Sequence, residues 1–395
     1  MEKELGSGMY RKNKGIWLFS QYIEDFGGTN TVISEAKKIL SEANIFFHHV
    51  WVTNFSTMVE KRESQKLYFK ALPIPVYLNN LFAGLKWRYH FKNLPYALVI
   101  GGSPVSGAIP LAANIPYIMW VGTSLLNEYS NRSIINEILN RNFSLFLNKL
   151  FIIINKIVEY HVLKKSKFII VQSPYMLKSL REDYNICEKK MIYLPYPIKP
   201  KSQMKKKLYN KIGPKLLAVG RVDDFRKNYR FLLKAFSLLI KKYPESRLRI
   251  VGRVFSTSKL LIKCSKLGLN SFVDFLGEIS NEKIAEEYKR ANIFVLTPKQ
   301  EGLGIVYLEA MSYGLPVITT KCGGPEGIVT NGLNGYLIEQ NDLNAFVYAI
   351  KKIWDSEETY RKICGQAYNY ILEKHNPDKF RKKFIEILKK ELEVD

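Results

Sequence analysis

Residues 300–318 read QEGLGIVYLEAMSYGLPVI, a loop that opens into a helix and closes onto a strand. Glu301 and Glu309 are eight residues apart, just over two helical turns. They project to one side of a helix that begins near Gly302. Gly302 and Gly304 let the backbone approach a ligand, and N–H groups at a helix start attract oxyanions. Ile305, Leu308, Met311 and Leu315 form the packing face. Gly314 stops the helix and Pro316 leads into the next strand. Two carboxylates around such a start could grip a polyhydroxyl ligand with a phosphate between them. The same residues also fit an ordinary βα unit with one capping and one solvated Glu.

The wider run 297–339 reads TPKQEGLGIVYLEAMSYGLPVITTKCGGPEGIVTNGLNGYLIE. It resembles the donor-binding core of GT-B retaining glycosyltransferases, in particular family 4 (glycosyl transferases group 1). A Glu, seven residues and a second Glu are followed by GxPVI, a GG…E turn and NGxxGxL, in order and at normal spacing. The resemblance implies an α/β GT-B fold: two facing Rossmann-like domains, an interdomain cleft and a C-terminal helix crossing back. It implies that Glu301 binds hydroxyls of a donor sugar and that Gly302, Leu303 and Gly304 lie near its phosphate. Glu309 would hold the ribose diol of a nucleotide, and Glu326 would support the site. Upstream, KLLAVG at 215–220 and RVDDFRKNYRFLLKAFSLLI at 221–240 form a strand, loop and helix. Arg221 and Lys227 there match the family's GRxxxxxK element, in which both cations meet the donor diphosphate. A guanidinium and an ammonium at a strand end suit that task without a metal. Arg226 competes with Lys227 for the second position.

Composition is compatible with this reading. A chain of 395 residues, 47% hydrophobic and 24% charged, suits two domains rather than one core. Cys187, Cys264, Cys322 and Cys364 have no CxxC spacing, so neither a disulfide framework nor a zinc site is expected and a cytoplasmic location is. No D-x-D triplet provides for a metal, and no cofactor beyond the donor substrate is expected. The net charge of +24 is spread over the chain, with 25 Lys+Arg against 14 Asp+Glu in residues 1–200 and 35 against 22 in 201–395. Such a surface favours phosphorylated substrates or anionic lipid, although a Lys-rich compositional bias would give it too. No zinc finger, RRM signature or basic zipper points to nucleic acid.

The first 14 residues read as a flexible arm and 15–198 as an acceptor-side Rossmann-like domain. Its opening, GIWLFS at 15–20 followed by FGGTNTVISE, is a strand, a Gly-Gly loop and a helix. The resemblance places Gly27 and Gly28 at the donor diphosphate. His48 and His49 alternate across a strand and so do not form a metal pair. After the strand PYIMWV at 116–121 the chain departs from the family, having no His between Trp120 and Tyr160. Thr123 or Ser124 could hydrogen-bond an acceptor there, whereas capping a helix is the ordinary role of Ser124.

The apolar stretch 143–163 is interrupted by Asn148, Lys149, Asn155, Lys156 and Glu159, which excludes a membrane span. At 100° per residue these five share one arc. That pattern describes a core helix with a wet side or a helix lying on anionic lipid. A second departure is Tyr196-Pro197-Ile198, where the family has an Asn-Gly turn.

The basic stretch 199–213 reads as the linker, 214–375 as the nucleotide-sugar domain and 376–395 as a helix returning to the first domain. Alternation of strand and helix through both halves predicts parallel sheets with the site at strand carboxyl ends. The resemblance implies retaining, metal-independent transfer from a nucleotide-diphosphate sugar to a glycan or lipid-linked acceptor in cell-surface polysaccharide or glycoconjugate synthesis. A peripheral position at the inner face of the cell membrane would suit a lipid-linked acceptor. A non-catalytic nucleotide-sugar or glycan-binding protein on the same fold is the alternative, prompted by the missing His. A basic surface protein binding membranes or nucleic acid is a third reading.

Overall fold

The computed structural model describes residues 16–21, 28–52, 80–82, 84–85, 97–101, 104–122, 145–201, 209, 211–222, 224–254 and 259–392. The chain separates into two units. One comprises Met1–Gln172, Met176–Leu194 and Arg381–Asp395, and the other Ser173–Tyr175 and Pro195–Phe380.

In the first unit six parallel strands, β1 (Ile16–Gln21), β2 (Phe47–Val52), β3 (Ala97–Gly101), β4 (Tyr117–Val121), β5 (Phe168–Val171) and β6 (Met191–Tyr193), form one sheet. Their order is β2-β1-β3-β4-β5-β6. Segments such as ALVIG and YIMWV are apolar at every position but the last Gly, the signature of strands covered on both faces. Leu98, Val99, Ile118 and Met119 are accordingly inaccessible to solvent. The intervening helices are α1 (Gly28–Glu42), α2 (Ala108–Ala113), α3 (Leu145–Lys165) and α4 (Pro174–Tyr184).

Helix α3 corrects the expectation of a single polar arc. Glu159 is fully buried, with its carboxylate accepting a 2.6 Å hydrogen bond from the Tyr184 hydroxyl on α4. Ile153 and Ile157 are instead exposed. A buried carboxylate persists where a partner satisfies it, and a helical wheel drawn on one helix cannot include a tyrosine from another.

The second unit contains β7 (Lys215–Val219), β8 (Arg247–Val251), β9 (Val273–Gly277), β10 (Ile293–Leu296), β11 (Val317–Thr320) and β12 (Gly335–Ile338), again all parallel. The order is β12-β11-β10-β7-β8-β9. The chain therefore builds outward from β7 to β9, then returns to β10 on the opposite side of β7. Between β7 and β10 the connecting loops leave in opposite directions, which opens a crevice at the strand carboxyl ends. Gly252, after β8, has φ +142°, and a Cβ there would lie 1.9 Å from the Gly220 carbonyl oxygen. Only glycine lets these two strand ends pass. The helices are α5 (Tyr229–Lys242), α6 (Lys259–Lys266), α7 (Asn281–Arg290), α8 (Ile305–Ser312), α9 (Leu343–Trp354) and α10 (Glu357–Lys374).

The change between units falls at Leu194/Pro195, ahead of the basic 199–213 segment. Local bonding accounts for this position. Ile198 N–H donates to the His375 carbonyl at 2.9 Å, and the His375 ring Nδ1 bonds the Tyr196 carbonyl at 2.7 Å. Residues 195–198 are thereby fastened to the end of α10. The last helix, α11 (Pro377–Leu392), belongs to the first unit from Arg381 onward. There the Phe384 ring packs 5.1 Å from Trp120, and Arg381 pairs with Glu42 at 2.9 Å. Both rings are fully buried. Phe384→Ala is expected to destabilise the chain by about 3–5 kcal/mol, read from the denaturant midpoint. A loss below about 1 kcal/mol would mean that this contact is dispensable. Among the described residues, no helix is long and apolar enough to cross a membrane.

Candidate functional site at the β7 and β10 carboxyl ends

The crevice at the strand switch collects the charged residues singled out in the sequence. Strand β7 delivers Arg221, and the short turn Phe225–Lys227 delivers Arg226 and Lys227. Asp224 organises this loop. Its carboxylate accepts the backbone N–H of Arg226 at 3.0 Å and grips the Arg226 guanidinium at both oxygens, at 3.0 Å from Nε and 2.8 Å from Nη2. It also bonds Arg221 Nη2 at 2.9 Å. Burial alone would push the Asp224 carboxyl upward, but the Arg226 hydrogen bonds and the charges of Arg226 and Arg221 hold it below its ordinary value. The sequence reading does not single out Asp224, and no helical spacing marks it, because Arg221 and Asp224 both lie outside any helix.

Lys227 turns away from this cluster. Its ammonium pairs with the Glu301 carboxylate, 74 residues later, and both side chains are largely shielded, at 17% and 16% exposure. Arg226 and Lys227 thus have different partners: Arg226 faces Asp224 and Lys227 faces Glu301. Two further bonds join the same loops, from Lys299 N–H to the Arg226 carbonyl at 2.7 Å and from Thr297 Oγ1 to the Asn228 carbonyl at 3.4 Å.

Glu301 precedes the helix as expected, but that helix starts later than Gly302. Helix α8 begins at Ile305, so the helical eight-residue spacing to Glu309 does not apply. Glu301 lies in the preceding loop, bridged in parallel to Gly323. Its N–H donates to the Cys322 carbonyl at 3.1 Å, and its carbonyl accepts Gly324 N–H at 2.8 Å. Glu326 fixes that second loop by accepting the backbone N–H groups of Cys322 at 3.1 Å and Gly323 at 2.9 Å. The GG…E element therefore works as a scaffold for Glu301.

Gly302 and Leu303 continue the loop, and Gly304 caps α8 in the left-handed region at φ +78°. A Cβ on Gly304 would meet the Tyr307 ring at 2.2 Å. The Gly304 carbonyl accepts the Tyr307 N–H of the first turn of α8 at 2.9 Å. The far end of α8 closes as foreseen: Gly314 and Leu315 N–H groups bond the Met311 and Ala310 carbonyls at 2.8 and 3.1 Å.

Glu309 stands partly buried on α8 and accepts a 2.9 Å hydrogen bond from the Tyr288 hydroxyl on α7. Burial raises its carboxyl above the ordinary value, with the Tyr288 bond and the Lys201 charge pulling back. Cys322 is set close to the Glu301 charge, and burial pushes its thiol well up. The loops after β8 and β9 meet through an Arg253–Glu278 ion pair at 3.4 Å.

Of the residues named from sequence, Arg221, Lys227, Glu301, Gly302, Leu303 and Gly304 fall on loops or short turns of the second unit, and Glu309 lies within α8. Gly28 begins α1 in the first unit. Gly27, Thr123 and Ser124 lie outside the described residues.

Comparison with known proteins shows what the second unit is similar to. Residues 200–370 match the family model described as glycosyl transferases group 1. An uncharacterized glycosyltransferase of Haemophilus influenzae is 31% identical over 174 residues, 44% of this chain and 47% of that protein. Poly(glycerol-phosphate) alpha-glucosyltransferase of Bacillus subtilis is 33% identical over 183 residues, 46% of this chain and 26% of its own length. The chain thus spans half or less of these curated relatives. Among solved structures, sucrose-phosphate synthase from Thermosynechococcus elongatus superposes with a TM-score of 0.76 at 19% identity, covering 95% of this chain and 98% of that one. The two parallel sheets agree with the structural match, so the chain has a GT-B fold, and residues 200–370 carry its similarity to the glycosyl transferases group 1 family.

Proposed function

We propose that the chain transfers a glycosyl unit from a nucleotide-diphosphate sugar to a glycan or lipid-linked acceptor, with retention at the anomeric carbon and without a metal. The observation that carries this reading is the Lys227–Glu301 ion pair beside the exposed Arg221 guanidinium at the strand switch. It joins a cation suited to a diphosphate and a carboxylate suited to sugar hydroxyls at one point. On substrate binding Arg221 and Lys227 would meet the diphosphate, while Glu301 accepts hydrogen bonds from donor-sugar hydroxyls. The bond between the anomeric carbon and the phosphate oxygen breaks as the acceptor oxygen attaches on the same face. The acceptor proton passes to the departing phosphate. Fixed cations facing the charge that grows on that phosphate lower the barrier electrostatically.

Titration with UDP-, GDP-, ADP- and dTDP-sugars, scoring binding together with slow hydrolysis, tests the proposal. One donor bound and slowly hydrolysed supports it. Binding that never leads to turnover, even with acceptor mixtures, favours the non-catalytic alternative. No binding removes both. Arg221→Ala is expected to weaken nucleoside diphosphate binding about tenfold, the loss of one charge-assisted hydrogen bond. Unchanged affinity on calorimetry would take Arg221 out of the site.

A lipid-linked acceptor is the class we favour, with the chain at the inner face of the cell membrane. Exposed Ile153 and Ile157 lie on the same helix as the exposed Lys164 and Lys165, a combination suited to an anionic lipid surface. Co-sedimentation with phosphatidylglycerol vesicles but not phosphatidylcholine vesicles is the expected result. Equal recovery with both would remove the membrane from the proposal.

A further inference from the structure

We infer that Tyr288 is a positioning residue for nucleotide recognition, holding the Glu309 carboxylate in the orientation that distinguishes a ribose from a 2′-deoxyribose. The inference rests on the proposed reading of Glu309 as the ribose ligand and adds a residue that no sequence motif marks.

Tyr288 is almost completely buried on α7. Its ring stacks on Tyr313, just beyond α8, at 5.3 Å and 13°, and lies 6.1 Å from Phe294 of β10. Lys201 in turn sits over the outer ring, 6.0 Å from the Tyr313 centroid, and its backbone N–H bonds the Ser312 carbonyl at 3.4 Å. The phenol is packed between Tyr313 and Phe294, which leaves its hydroxyl little freedom.

That hydroxyl donates to Oε2 of Glu309. A glutamate side chain has three rotatable bonds, and a solvated one samples many rotamers. Anchoring one oxygen on a fixed donor restrains the carboxylate plane. Oε1 and the second lone pair of Oε2 then remain for a diol. Two hydroxyls at fixed separation are recognised by a carboxylate only when its plane is aligned, so the tyrosine's effect falls on selectivity for the diol. A buried phenol that needed only a partner for its own O–H would have no such effect.

The test is a double-mutant cycle read by calorimetry on the full chain, using UDP, GDP and ADP with their 2′-deoxy counterparts. The wild-type chain is expected to prefer the ribo form about tenfold or more. Tyr288→Phe, which removes one oxygen and keeps the ring, is expected to reduce that preference to about threefold or less. Glu309→Gln is expected to abolish it, and adding Tyr288→Phe to Glu309→Gln should change nothing further. Thermal melts monitor the fold in each variant. A wild-type preference retained in full by Tyr288→Phe overturns the inference while leaving Glu309 as the ribose ligand. If Tyr288→Phe weakens ribo and deoxy forms equally, with or without Glu309→Gln, Tyr288 is merely structural and the inference fails. No ribo preference in the wild type, or no nucleoside diphosphate binding at all, removes the reading of Glu309 itself.

Discussion

Glu301→Gln is expected to lower glycosyl transfer by about 100- to 1,000-fold while leaving free nucleoside diphosphate binding unchanged or tighter. The two effects diverge because Glu301 holds two relationships. Toward the donor sugar, in the proposed reaction, its carboxylate would strengthen hydrogen bonds to hydroxyls and stabilise the positive character that develops at the anomeric carbon. Toward Lys227 it is the counter-ion in a largely shielded pair. Glutamine keeps the shape but removes the charge from both. The lysine ammonium then faces the diphosphate with no internal competitor.

Lys227→Ala has the opposite signature. It strands the Glu301 carboxylate beside the arriving phosphates, so nucleoside diphosphate affinity is expected to fall about tenfold or more. Measuring kcat and nucleotide Kd in both variants separates these outcomes. If Glu301→Gln only lowers the melting temperature and leaves turnover intact, the ion pair is a structural strut and the proposed role is lost.

The second large effect is on stability in mild acid. His375 is buried at the end of α10, with Nδ1 against the Tyr196 carbonyl. Its Nε2 has no hydrogen-bond partner among the described residues. Burial lowers its pKa from 6.5 to about 4, with the Tyr196 bond opposing. The unfolded chain therefore takes up a proton near pH 6.5, and the folded chain resists it until about pH 4. Stability present above pH 6.5 is lost progressively as the pH falls through that window. At 1.36 kcal/mol per pK unit the loss is about 3 kcal/mol.

His49 acts in the same direction in the first unit. It is buried against the Ser20 hydroxyl at 2.7 Å, and burial with the Lys37 charge lowers its pKa to about 3. Urea unfolding at pH 7.5, 6, 5 and 4.5 should show the decline. His375→Asn, which retains an N–H donor for Tyr196, should show a shallower one. Equal slopes in the two proteins would mean that His375 does not titrate as its burial requires.

Much of this molecule is local and was legible as such. Parallel strands buried on both faces announce themselves as short apolar runs such as ALVIG and KLLAV, because both faces must leave water. Gly314 and Pro316 mark a helix end through backbone conformations that only certain residues adopt. Arg221 and Lys227 stand out in sequence because they lie within seven residues in one strand-end loop and match the GRxxxxxK pattern.

Tertiary structure decided what depends on elements distant in sequence. Helix α8 starts at Ile305 and not near Gly302, and the Glu301 loop is bridged to Gly323; no periodicity registers a partner beyond the next strand. Lys227 meets Glu301, and not its neighbour Asp224, because the strand order sets β7 beside β10. Glu159 is buried because Tyr184 reaches it from α4, and Glu309 is oriented because Tyr288 reaches it from α7. Sequence determined which groups the chain carries and which local conformations they adopt. The parallel crossovers determined which charges share a low-dielectric crevice, since the proximity that gives an ion pair or a shared hydrogen bond its strength is created by strand order and helix packing.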